Sequence, residues 1–196
     1  DSIISFDMEQ SGAVLAWKYF HPGVSVPKLF QHIDDNDRWQ FKMKETKYVI
    51  RNLRSYPLCF NTWHELMSMM EISPEFYEDF VAEGAAQERF FQSQVDFLLN
   101  MSKPHKIWLA GQEGLAINAT RMYVSDLGHR LAEQSGTFGM VWSFLGPNIA
   151  PERQVSCSLR SVGAFDVSDI PHALRVEARI LSTFAVIVAS FFTPWR

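Results

Sequence analysis

The stretch from Pro74 to Ser102-Lys103-Pro104 constrains the fold of this chain more than any other. Phe76, Phe80, Gly84, Gln87, Phe91, Val95 and Leu98 recur along it at three- and four-residue spacing, which lines up one face of a helix. At about 1.5 Å per residue such a helix reaches roughly 40 Å, long enough to bridge two lobes. The aromatic stripe reads as packing surface rather than as a ligand site. A rod of this length at the middle of the chain acts as a connector, here over residues 74–103.

The sequence differs on the two sides of the rod. Before it, Ser11 followed by Gly12-Ala13-Val14-Leu15-Ala16-Trp17-Lys18-Tyr19-Phe20 reads as an N-cap and a buried helix that His21-Pro22-Gly23 ends. Pro27 opens a further short helix at its first turn, and helical periodicity returns in Glu45 to Leu53 and in Phe60 to Met70. After Pro104 come short strand-like runs: His105 to Ala110, Leu115 to Asn118, Phe138 to Phe144 and Gln154 to Leu159. Between them Ser125 caps a helix through Gln134, with Gly136 as its stop. The expected class is α/β: a mostly helical portion over 1–73, the connector over 74–103, a smaller mixed α/β domain over 104–174 and a tail over 175–196.

With 196 residues, 47% hydrophobic and 20% charged, the chain can bury a substantial core. A formal charge of -4 gives no overall pull toward nucleic acid, so any phosphate must be held by locally placed Arg, Lys or metal. Cys59 and Cys157 lie far apart with no metal-ligand spacing, which suits buried reduced thiols and a soluble reducing compartment, cytoplasm or organelle interior. The apolar run from Ile180 to Phe192 is broken by Ser182, Thr183 and Ser190 and is shorter than the roughly 20 residues a membrane span needs, so no membrane contact is expected. The start at Asp1, without a methionine or a leader, reads as the interior of a longer polypeptide.

The chemistry concentrates in Asp34-Asp35-Asn36-Asp37-Arg38-Trp39. Three carboxylates in four residues repel one another unless something cationic sits among them, and the repulsion grows several-fold in a partly buried cleft. Two readings are open: an acidic turn that ends a helix, and a site for a hard divalent cation. An EF-hand is excluded, because Arg38 or Trp39 falls where a third oxygen ligand is required and the loop glycine is missing. Of His32, His64, His129 and His172, only His32 lies beside the aspartates, and each reads as an ordinary surface or partly buried histidine.

Three blocks together, Ser11 to Trp17 (SGAVLAW), the DDNDRW cluster, and Ser158 to Ile170 (SLRSVGAFDVSDI), resemble the DHH phosphoesterase superfamily. The similar branch is that of oligoribonucleases and RecJ-like enzymes, where a DHH-associated domain follows the catalytic one. The resemblance implies a divalent-metal-dependent phosphodiesterase or phosphatase acting on short single-stranded oligonucleotides or small nucleotides. It makes Asp35 a ligand of Mn²⁺ or Mg²⁺, with Asp37 behind it, and such ions activate water and stabilise the oxygens of in-line attack. It also implies that Arg160 grips a phosphate or stacks on a base, that Ser158 and Ser161 donate hydrogen bonds to substrate, and that Asn118 matches a substrate-side position. Read without the family, Arg160 is a strand-end arginine facing a carboxylate and Asn118 a turn residue.

The chain departs from the family at both ends. The DHH tripeptide and the earlier aspartate motifs are absent, so no catalytic residue is assigned within the chain and the copy is expected to be partial and inactive by itself. After Gly163 there is no glycine, where the family has a glycine-rich loop that cradles phosphate. From about Arg175 the tail reads as unrelated sequence, as a frameshift or altered splicing would leave it. A non-catalytic module that binds nucleotide or single-stranded nucleic acid is the alternative reading.

Overall fold

The computed structural model describes residues 7, 9–109, 111–144, 155–162 and 188–191. It mixes helix and sheet. Among the described residues the helices are α1 (Gly12–Phe20), α2 (Lys28–Asp37), α3 (Thr46–Leu53), α4 (Phe60–Ile72), α5 (Pro74–Ser102) and α6 (Val124–Ser135). The strands among them are β1 (His105–Leu109), β2 (Gln112–Asn118), β3 (Phe138–Phe144), β4 (Val155–Ser161) and β5 (Val188–Phe191). The chain divides into two compact units, Asp1–Gln92 and Ser93–Pro194, and the division falls within α5 rather than at its ends.

In the first unit, local chemistry sets the helix ends. The Ser11 hydroxyl accepts from Val14 N–H as the N-cap of α1, as its place in the sequence predicts. Pro27 is the N-cap of α2 instead of its first helical residue. Ser73 serves two helices: its N–H closes α4 on the Met69 carbonyl, and its hydroxyl accepts from Phe76 N–H at 3.1 Å, which opens α5. α5 then runs 29 residues, with Pro74 at its first turn, where a missing N–H costs nothing. Leu29, Val49, Ile50, Leu53, Leu66, Met70 and Phe80 form the core of this unit.

The predicted stripe on α5 faces inward and is wider than the sequence suggests. Phe80, Gly84, Phe91 and Val95 are buried, half-buried Gln87 donates to the Asn52 side chain at 3.0 Å, and buried Glu88 joins them. The Glu88 carboxylate takes the Arg51 guanidinium at 2.6 Å, and that guanidinium lies 3.4 Å from the centre of the Phe91 ring. Gly84 is where α3 comes closest, since a side chain there would run into the Tyr48 carbonyl.

In the second unit the sheet has the order β1-β2-β3-β4-β5. β1 and β2 form an antiparallel hairpin, with Gly111 at φ 78° in its turn. β2 and β3 are parallel and need a crossover, which a 3-10 turn (Arg121–Tyr123) and α6 supply. β3 and β4 are antiparallel, and β4 and β5 parallel. Gly136 ends α6 in the left-handed conformation (φ 73°), as predicted. Ser125, expected to cap α6, is instead its second residue, and Tyr123 holds the cap position without a side-chain bond.

α6 lies close on one face of the sheet because two glycines meet there. A side chain at Gly139 would strike the Gly128 carbonyl and Leu131, and one at Gly128 would strike Arg160. Phe138 and Leu159 centre the core on the opposite face, with Ile107, Leu109 and Met140 against them.

β1 starts and β3 spans as the sequence predicts, β2 begins earlier, at Gln112, and β4 extends on to Ser161. The predicted run from Ile180 lies outside the described residues up to Val188, where β5 begins, and so does the part of the third motif block beyond Val162. Among the described residues no helix is long and apolar enough to cross a membrane.

Candidate functional site

The acidic cluster forms the last turn of α2, the end at which the helix dipole disfavours negative charge. Each carboxylate meets its own compensation. Asp34 accepts the Ser11 N–H at 2.5 Å and lies 3.5 Å from Arg38, which also pairs with Glu9 at 2.6 Å. Asp37 ends the helix, where partial desolvation first, and then the Asp34 charge, raise its pKa against the opposing bond from Asn36 and the Arg54 charge. Asp35 is buried.

Asp35 organises the loop that follows. Its carbonyl accepts from Gln40 N–H at 2.9 Å. Its carboxylate takes the Lys42 N–H on Oδ1 at 2.8 Å, and on Oδ2 the Met43 N–H at 3.1 Å and the Thr46 hydroxyl at 2.6 Å. To close this tightly the loop holds two aromatic residues in the left-handed region, Trp39 at φ 54° and Phe41 at φ 50°. That conformation is strained for bulky side chains and persists only where its surroundings over-determine it. The edge-on contact of the two rings, 4.9 Å between centroids, adds to the bonds from Asp35.

Behind the carboxylate runs a buried relay. Thr46 spends its one hydroxyl proton on Asp35, so its oxygen accepts from His32 Nδ1–H at 2.9 Å. That fixes the neutral tautomer and leaves Nε2 to accept from the Tyr77 hydroxyl, also at 2.9 Å. Burial is the main force lowering the His32 pKa, with Lys28 acting the same way and Glu45 and Asp35 opposing. The Tyr77 hydroxyl is pushed up by desolvation and then by Glu45. Thr46 and the two loop amides carry no signal in the sequence as partners of Asp35, nor does Tyr77 as a partner of His32.

The bonds to Asp35 bear on the metal that the resemblance implies. Mn²⁺ and Mg²⁺ need several oxygen ligands held open toward one point. Three donors already occupy the Asp35 carboxylate, and among the described residues no group of three His, Cys, Asp or Glu side chains could hold an ion. These residues alone do not fit a divalent metal centre.

The substrate-side residues sit on β4 and β2. Arg160 lies opposite Gly139 and Ser158 opposite Val141, on the face that α6 covers. Ser161 lies opposite Phe138 and so points to the other face, and the three do not converge. Ser158 and Ser161 are buried. The Arg160 guanidinium donates to the Leu159 carbonyl at 2.8 Å and to the Ser125 hydroxyl at 3.3 Å, and burial lowers its pKa from the ordinary value. Exposed Asn118 ends β2 and donates its amide to the Trp142 carbonyl at 2.9 Å.

No family model matches the chain, and no solved structure matches it. A 62-residue stretch, 32% of the chain, is 34% identical to an uncharacterized protein of Acanthamoeba polyphaga mimivirus, of which it spans 15%.

Proposed function

We propose that these residues are part of a DHH-type phosphoesterase that acts on short oligonucleotides or small nucleotides. The supporting observation is the bond from Ser11 N–H to Asp34, which ties the first motif block to the second across 23 residues of sequence. Two separate blocks of one resemblance thus meet at a single point. In this reading the knot around Asp35 gives the unit its shape, and the grip on the nucleotide falls to Arg160 on β4, which is only partly buried. Any Mn²⁺ or Mg²⁺ requires ligands beyond the described residues.

The second reading is a module that binds nucleotide or single-stranded nucleic acid without cleaving it. It is favoured by the engagement of Asp35 with three donors and by the lack of a three-ligand group among the described residues. One experiment separates the two: titrate AMP and a short RNA, with and without Mn²⁺, into the protein expressed from its complete reading frame, then follow hydrolysis of the RNA. Binding that weakens in Arg160→Ala, with turnover lost in Asp35→Asn, supports the phosphoesterase. Binding without turnover supports the module, and no binding of either ligand defeats both.

A further inference from the structure

The loop between α2 and α3, with the helix it enters, gathers positive charge in a chain that is acidic overall. Six of the 18 lysines and arginines fall between residues 38 and 54, against one acid, Glu45, while the whole sequence carries -4. Arg38 is engaged by Glu9 and Asp34, and Arg51 by Glu88. Lys42, Lys44 and Lys47 are exposed, and among the described residues none of the three takes part in an ion pair. Glu45, between them in sequence, is half-buried, and its charge acts on His32 and Tyr77 of the relay.

Two aromatic rings stand among these lysines. Trp39 and Phe41 hold left-handed backbone that glycine would adopt without strain, so rings are kept at these two places against a conformational cost. The Nζ of Lys47 lies 4.8 Å from the centre of the Phe41 ring, and both aromatic residues keep part of their surface in water. Because the Asp35 carboxylate fixes the Lys42 and Met43 amides, the backbone that carries rings and lysines is set before any ligand arrives.

Positive charge alone suits any polyanion. Rings interleaved with lysines suit a strand that offers both phosphates and unstacked bases, and a preformed platform saves the ordering that binding otherwise requires. We propose that the segment over residues 39–47 binds single-stranded nucleic acid, its bases stacked on Trp39 and Phe41 and its phosphates on Lys42, Lys44 and Lys47. The inference does not rest on the phosphoesterase reading, which puts the nucleotide on β4.

The test follows the fluorescence anisotropy of a labelled uridine dodecamer and a labelled thymidine dodecamer with the protein expressed from its complete reading frame, in EDTA so that no strand is cut. Both strands should bind saturably and more weakly as salt rises. Changing Lys42, Lys44 and Lys47 together to Gln should weaken binding about tenfold or more and make the slope of log K against log salt shallower by about 2. Trp39→Gly suits the left-handed backbone and removes a stacking face, so it should weaken binding about tenfold with little change in the salt slope. Unfolding midpoints are measured for both variants, and the lysine variant, altered only at exposed positions, decides the matter if Trp39→Gly does not fold. The proposal is overturned by absence of saturable binding, or by inorganic polyphosphate competing as well per phosphate as the unlabelled strands. Phosphatidylserine vesicles bound more tightly than either strand overturn it in favour of a lipid surface. It is also overturned if the lysine variant binds like the parent while Arg160→Ala does not, a result that leaves the reading of β4 standing.

Discussion

His32 and Asp35, one turn apart on α2, are joined through the Thr46 hydroxyl, which accepts from one at 2.9 Å and donates to the other at 2.6 Å. All three residues are buried, so neither partner can turn to water if the hydroxyl is removed. Thr46→Val keeps the shape and deletes the oxygen, leaving a buried N–H and a carboxylate oxygen each short of a partner. The expected loss is about 2–4 kcal/mol of unfolding free energy, with Thr46→Ser recovering most of it. Urea unfolding measures both, and a valine variant as stable as the parent would show that the relay contributes nothing.

The same relay makes stability depend on pH with a definite sign. Burial lowers the His32 pKa below its ordinary value of 6.5, so the unfolded chain takes up a proton at a higher pH than the folded one. Between those two values the unfolded state binds more protons, and stability rises with pH. The contribution is therefore complete above about pH 6.5 and is lost progressively as the pH falls through the folded value. His32→Gln removes the titration. Its unfolding midpoint should change less than the parent's between pH 7.5 and pH 5.5, and parallel pH curves for the two proteins would assign the dependence elsewhere.

The sequence reveals those parts of this fold whose causes are local. Ser11, Gly136 and the Pro74 start of α5 act on neighbours within one helical turn, and each does what its chemistry predicts. The knot around Asp35 is different, because its donors at 42, 43 and 46 reach the carboxylate only after Trp39 and Phe41 turn left-handed, and nothing in two aromatic residues announces that. Crowded carboxylates leave open both a helix-ending acidic turn and a cation from outside the chain, and the cluster does end α2. Within the unit, Arg38 and a set of N–H and hydroxyl donors meet much of that need. The burial of Glu88 on α5 likewise depends on Arg51, 37 residues away.

Gly84 gives a test of the close contact between α3 and α5. A methyl group there would overlap the Tyr48 carbonyl oxygen, which belongs to the helix backbone and cannot swing aside as a side-chain tip can. Gly84→Ala should cost about 1–3 kcal/mol even though alanine favours helix, because overpacking outweighs propensity. Denaturation followed by helical circular dichroism measures the outcome, and a more stable alanine variant would mean that the helices are not in contact at this point.

The two cysteines should differ sharply in reactivity. Cys59, expected from the sequence to be buried, is instead exposed at the N-cap of α4, where the Thr62 hydroxyl 3.0 Å from its sulfur, then the Thr62 and Asn61 N–H groups, lower its pKa. Cys157 is buried in β4, and burial pushes its thiol up to about 11. Since the thiolate is the reactive form, iodoacetamide at pH 8 should modify Cys59 rapidly and Cys157 only after unfolding. Thr62→Val removes the main hydrogen bond and should slow Cys59 several-fold while leaving Cys157 protected. Mass spectrometry of peptides taken at intervals distinguishes the sites, and equal labelling of both in the folded chain would contradict the buried position of β4.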